Sequence, residues 1–110
     1  MKGMFENNNI KCLVSYSTKH VHVWQEETGE KVMSINVLDI CGSHEISCMT
    51  YSHLYQIYFI VTTDFKLHVL NEYLNYIGWY PFKIRLIKFI NFEDEGSKLI
   101  VAGIDGCYTI

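Results

Sequence analysis

Proline is nearly missing from this sequence, Pro81 being the single one, so no proline-rich linker divides the chain. Positive charge is also short: 9 Lys and Arg stand against 12 Asp and Glu, for a net charge of -3. That balance leaves no basic field to neutralise phosphates and argues against nucleic acid as a partner. The cysteines Cys12, Cys41, Cys48 and Cys107 form no CxxC pair. Each lies in or beside an apolar segment, as buried free thiols do, which points to a reducing compartment and away from disulfides or a metal cluster. The stretch from Met1 to Asn9 has no apolar core of the kind a secretory signal requires. The longest uncharged run, Ile46 to Thr63, is interrupted by Ser47, Thr50, Ser52, His53, Gln56, Thr62 and Thr63. Two strands joined by a turn explain it better than a membrane span. A cytoplasmic protein with no membrane partner is expected.

Catalytic signatures are equally scarce. The sequence has no GxSxG elbow and no cysteine in an electropositive setting, and Gly103 to Gly106 lacks the lysine and following helix of a phosphate loop. Asp64 and Asp105 could divide acid and base roles, but aspartate beside a tight turn accepts hydrogen bonds from its own backbone, and Asp105-Gly106 is a hairpin signal. The turn reading is the stronger. His20 and His22 share one face of a strand, the minimum for a metal pair, yet no third ligand is suitably spaced. No catalytic residue, cofactor site or metal site is therefore assigned, and the chain is expected not to be an enzyme. The acidic segment Phe92 to Ser97 reads as a solvated hairpin tip.

What the sequence does contain is a hydrophobic content of 49%, with 15% aromatics, enough to fold. Its β-branched and aromatic residues gather into short runs such as Tyr58 to Thr63, which suit pleated, half-buried strands. The runs repeat. Ser17-Thr18-Lys19-His20-Val21-His22-Val23-Trp24-Gln25 returns as Thr63-Asp64-Phe65-Lys66-Leu67-His68-Val69-Leu70-Asn71, 46 positions on from Thr18 to Asp64. The turn and strand start come back again at Asp105-Gly106-Cys107-Tyr108-Thr109-Ile110, 41 positions beyond Asp64. Out of phase with these, Ile46-Ser47-Cys48-Met49-Thr50-Tyr51 recurs 38 positions later as Ile84-Arg85-Leu86-Ile87-Lys88-Phe89. Both His22 and His68 occupy the same repeat position, which assigns them to packing.

This pattern predicts four strands per period. After an N-terminal tail over 1–10, three blade remnants follow over 11–38, 45–80 and 84–110. The first holds strands at Lys11 to Ser17, Val21 to Gln25 and Lys31 to Leu38, with Thr28-Gly29-Glu30 as a turn. The second holds Glu45 to Ser52, Gln56 to Thr62, Lys66 to Asn71 and Leu74 to Tyr80, with a turn at Asn71-Glu72-Tyr73. The third holds Ile84 to Asn91, Lys98 to Ile104 and a strand begun at Asp105-Gly106.

A strand of the form apolar-x-x-apolar-x-aromatic, an apolar strand, a turn with aspartate and a strand ending in tryptophan together resemble the WD-repeat family. The resemblance runs from about Lys11 onward, with Trp24, Asp64, Asp105 and Gly106 as structural repeat positions. Trp24 is followed by Gln25, Leu70-Asn71 stands where Trp-Asp would be, and Gly42-Ser43-His44 lies out of register with the family's Gly-His pair. The usual His, Ser/Thr, Asp, Trp hydrogen-bond network thus lacks its signature residues at several positions. The resemblance implies an all-β partial β-propeller of four-stranded antiparallel blades, open rather than closed. It also implies a non-enzymatic protein-protein interaction scaffold, with a cytoskeletal or ciliary assembly as the preferred setting. Open blades leave faces and edges uncovered, so the remaining propeller blades are expected from a longer parent or another chain.

The aromatics Tyr73, Tyr76, Trp79, Tyr80 and Phe82 crowd one outer-strand segment, and large rings at an outer strand suit an interface. Together with the turn residues Lys19 and Phe65 they are the candidate protein-binding residues. The alternative is a small ligand-binding β-barrel, with His22, His68 and the tyrosines lining a cavity.

Overall fold

The computed structural model describes the backbone of residues 2–42, 44–81, 89–93, 98–103 and 106–109, and side chains within 2–39, 42 and 44–81. Its elements are β1 (Gly3–Asn7), β2 (Cys12–Tyr16), β3 (His20–Gln25), β4 (Lys31–Asn36), α1 (Val37–Cys41), β5 (Ile46–Ser52), β6 (Ile57–Thr62), β7 (Lys66–Asn71), β8 (Tyr76–Pro81), β9 (Phe89–Glu93), β10 (Lys98–Gly103) and β11 (Gly106–Thr109). They pair antiparallel into a first sheet β1-β2-β3-β4, a second β5-β6-β7-β8 and a third β9-β10-β11. β1 and β9 both lie against β5, while β4 and β8 are the far edges, so the sheets fan outward from one line of inner strands.

Burial explains how each strand reads in sequence. In β3, Val21 and Val23 are buried while His20, His22 and Trp24 on the other face are not, because among the described residues only one face of the first sheet is covered. In β6, Tyr58 through Thr62 are buried without interruption, since both faces of the second sheet are covered. The shared core joins the two sheets: Cys12, Val14, Val21, Val23 and Val37 pack with Ile46, Met49, Tyr51, Tyr58, Ile60, Leu70 and Leu74.

Four expectations change. Residues 1–10 are not a tail: Gly3–Asn7 form the inner strand β1, paired with β2 from Gly3↔Tyr16 to Asn7↔Cys12, and complete a four-stranded sheet. The strand expected to reach Leu38 stops at Asn36, whose Oδ1 accepts a hydrogen bond from the Leu38 N–H at 3.0 Å and caps α1. β8 starts at Tyr76 rather than Leu74, because Leu74 sits at φ 65° inside the turn and is buried there. The closed-barrel alternative is overturned, since among the described residues the strands form three separate sheets with no ladder joining them.

The first sheet also contains a tight approach. A Cβ on Gly3 would come within 2.5 Å of the Tyr16 hydroxyl oxygen across the ladder. Gly3→Ala is expected to cost about 1–3 kcal/mol, because the Tyr16 ring it would displace packs against Phe5 and the core. In a Tyr16→Ser background the same change should cost almost nothing, as urea midpoints of the double-mutant cycle will show.

Candidate protein-interaction surface

β8 is an edge strand with little cover. Its Tyr76, Ile77, Trp79 and Tyr80 are 39, 60, 50 and 64% exposed, a run of large apolar side chains at the edge of a sheet. Besides its ladder with β7, a polar network behind the strand holds it in place. The Tyr76 hydroxyl is 2.9 Å from His68 Nδ1, and His68 Nε2 is 3.0 Å from Thr62 Oγ1. Thr62 donates in turn to the Asp64 carboxylate, which also lies 3.8 Å from His44 Nε2 and 3.4 Å from Lys66 Nζ. The same lysine stands 4.6 Å from the centre of the Trp79 ring, a cation-π contact that orients an otherwise loose indole.

The electrostatics follow from this arrangement. Burial lowers the basicity of His68, with Asp64 opposing and Lys66 reinforcing, so the ring is neutral at pH 7. Burial would raise Asp64, but the Thr62 hydrogen bond, His44 and Lys66 outweigh it and hold the carboxyl below its ordinary value. Cys48 is pushed up to about 12 by burial and Cys12 is also raised, so neither buried thiol is a ready nucleophile.

His44 is the residue that sequence spacing missed. The Thr63 N–H bonds to the Glu45 carbonyl at 2.9 Å, zipping the segment before β5 alongside the turn after β6 and bringing His44 to Asp64. The first sheet has a related brace: the Trp24 Nε1–H donates to Ser15 Oγ at 2.9 Å. His20 and His22 stack with ring centres 5.9 Å apart, and His22 Nδ1 lies 3.0 Å from Ser34 Oγ. Among the described residues no group of three or more His, Cys, Asp or Glu is placed to hold a metal ion.

The candidate binding residues fall into three places. Tyr76, Trp79 and Tyr80 share β8. Tyr73 lies on the turn before it, at one end of the second sheet. Lys19 and Phe65 lie on turns at the opposite end, which hydrogen bonds from Ile46 N to Thr18 O and from Thr63 N to Glu45 O draw together. Phe82 and Asp105 lie outside the described residues, and Gly106 opens β11 opposite Gly103.

The uncovered face of the first sheet bears Met4, Leu13, Ser15 and Trp24, which with Gln25, Glu26 and Gly29 line a cleft of about 380 Å³. The ladder places Leu13 beside Trp24 and Ser15 beside His22, as it places Tyr58 beside Leu70 and Ile60 beside His68 in the second sheet. The second set is covered by the first sheet through Phe5 and Asn7.

Separate four-stranded antiparallel sheets fanned about their first strands define an open part of a β-propeller. A solved structure shares this architecture: a chain in the crystal structure of the mitotic checkpoint complex matches 94% of this chain with a TM-score of 0.76. At 14% identity the likeness is one of fold, and it spans 33% of that chain's length. No family model and no curated protein matches the sequence. Among the described residues no helix is long and apolar enough to cross a membrane.

Proposed function

We propose that the protein is a non-enzymatic interaction scaffold whose docking surface is the outer strand β8. The observation that carries this reading is the row Tyr76, Ile77, Trp79 and Tyr80, each exposed by more than a third, on an edge braced from behind by His68 and Lys66. Aromatic anchors on a rigid support bury much area at small entropic cost. The structural counterpart comes from a multi-protein complex, which supports protein partners as a class. A cytoplasmic setting rests on the free cysteines, and within it a cytoskeletal or ciliary assembly rests on the family resemblance.

A second partner is a further propeller blade over the uncovered face of the first sheet. Leu13, Ser15, His22 and Trp24 there hold the ladder positions that Tyr58, Ile60, His68 and Leu70 hold under cover in the second sheet. That blade is supplied by a longer parent or by another chain.

The test of the β8 surface is capture of a defined partner by the wild type and by Trp79→Glu/Tyr80→Glu. The double variant should lose at least about tenfold in affinity, a drop of about 1.4 kcal/mol or more, with an unchanged melting temperature. A control at exposed Thr28 should bind like the wild type. Undiminished binding by the β8 variant would remove the strand from the interface.

A further inference from the structure

The turns that close β5-β6 and β7-β8 lie side by side at one end of the second sheet, where Ile57 pairs with Asn71. Between them is a cleft of about 370 Å³ lined by Tyr55, Gln56, Ile57, Asn71, Glu72 and Tyr73. The two tyrosines are 54 and 69% exposed, and Leu54 next to them is 58% exposed. Solvent thus meets a small apolar rim with a carboxylate within it.

The turns do not need Glu72 to hold their shape. Asn71 Oδ1 accepts from the N–H groups of Tyr73 and Asn75 at 2.9 and 3.0 Å, and Ser52 Oγ accepts from the Tyr55 N–H at 3.1 Å. Glu72 is instead held from below, its Oε2 accepting from the Tyr51 hydroxyl at 3.1 Å. Tyr51 is fixed in turn by Asn9 Nδ2 at 3.1 Å, from the turn after β1. Among the described residues no lysine, arginine or histidine makes an ion pair with this carboxylate.

A positioned carboxylate lining one cleft with two tyrosines suits a cation on an apolar stem. The ring faces attract it, the carboxylate neutralises it, and the methylenes cover Leu54 and the ring edges. An anion would be repelled by Glu72, and a purely apolar group would desolvate the carboxylate without repayment. We propose that this cleft binds a lysine or arginine side chain of a partner protein. The proposal rests on the scaffold reading and adds what the partner must present, at a surface separate from β8.

The full chain, isotopically labelled, is titrated with a short Gly/Ser peptide bearing one central lysine, and with its arginine and norleucine counterparts. The two cationic peptides should shift the backbone amides of 53–56 and 71–74, and the norleucine peptide should not. Glu72→Gln, which keeps an acceptor for Tyr51, should weaken the binding about tenfold, and raised salt should weaken it further. Tyr73→Ala should cost several-fold. Equal binding of the norleucine peptide, undiminished binding by Glu72→Gln, or no shifts at millimolar peptide would overturn the proposal. The Trp79→Glu/Tyr80→Glu variant, tested alongside, should keep the peptide response. If peptides fail while β8 still governs partner capture, the cleft alone is wrong; if both fail, the scaffold reading goes with it.

Discussion

Tyr58→Ala is expected to cost most of the stability of the protein. Tyr58 is fully buried where the first two sheets meet, with its ring centre 4.6 Å from that of Tyr51 and 6.2 Å from that of Phe5. Its hydroxyl accepts a 2.7 Å hydrogen bond from Nδ2 of Asn7, which is also fully buried. Removing the ring should cost about 3–5 kcal/mol in lost contacts and residual cavity. Leaving the Asn7 amide without a partner adds about 1–3 kcal/mol. Against the roughly 5–15 kcal/mol that holds a domain together, little remains. Tyr58→Phe separates the two contributions, because it keeps the ring and loses only the hydrogen bond, so it should cost about 1–3 kcal/mol. Urea midpoints at constant slope measure both changes. If alanine costs no more than phenylalanine, the sheet-sheet contact is not where the stability lies.

The same contact shows where sequence reading stops. β7 is legible to the residue, because its alternation and its flanking turns at Thr63-Asp64-Phe65 and Asn71-Glu72-Tyr73 define both ends. β1 is not, since Gly-Met-Phe-Glu-Asn contains no β-branched residue and stands beside an asparagine run. Its strand conformation comes from pairing with β2 and from Phe5 and Asn7 docking on Tyr58, which are tertiary events. The place of His44 is also tertiary. Its distance from Asp64 is set by backbone bonds joining two segments remote in sequence, while a bulge at Ile46–Cys48 shifts the register that spacing alone would count.

For the candidate surface, composition found the aromatic segment but treated as one patch what the fold divides. Tyr73 lies on a turn whose backbone is held by Asn71, and it faces the cleft with Glu72, whereas Trp79 and Tyr80 stand on β8. Linear proximity places these rings within a few residues. The reversal of the chain between β7 and β8 separates them into an end and an edge, so that one short segment reaches two parts of the surface.

Acid should weaken the fold in two steps, the first of them through His68. The ring is buried between Thr62 Oγ1 and the Tyr76 hydroxyl, and burial lowers its pKa from the ordinary 6.5. The unfolded chain therefore takes up the proton at a higher pH than the folded one. Stability is complete above pH 6.5 and falls as the pH drops below it toward the depressed folded value, by at most about 1.4 kcal/mol per pH unit for one proton. His22 is lowered as well, by burial first and then by Lys31 and His20, and contributes with the same sign. Asp64 gives the second step: its carboxyl is held below the ordinary 3.8, so its contribution is present above that value and is lost as the pH falls through the folded pKa. His68→Gln should flatten the decline that begins below pH 6.5 and leave the decline below pH 3.8 in place, with the remaining upper slope belonging to His22. Denaturation midpoints taken across the pH range measure the difference, and an upper slope unchanged by His68→Gln would locate the proton uptake elsewhere. Because the His68 ring also braces Tyr76, protonation should loosen β8 before the core gives way, tying the acid response of the fold to the proposed docking strand.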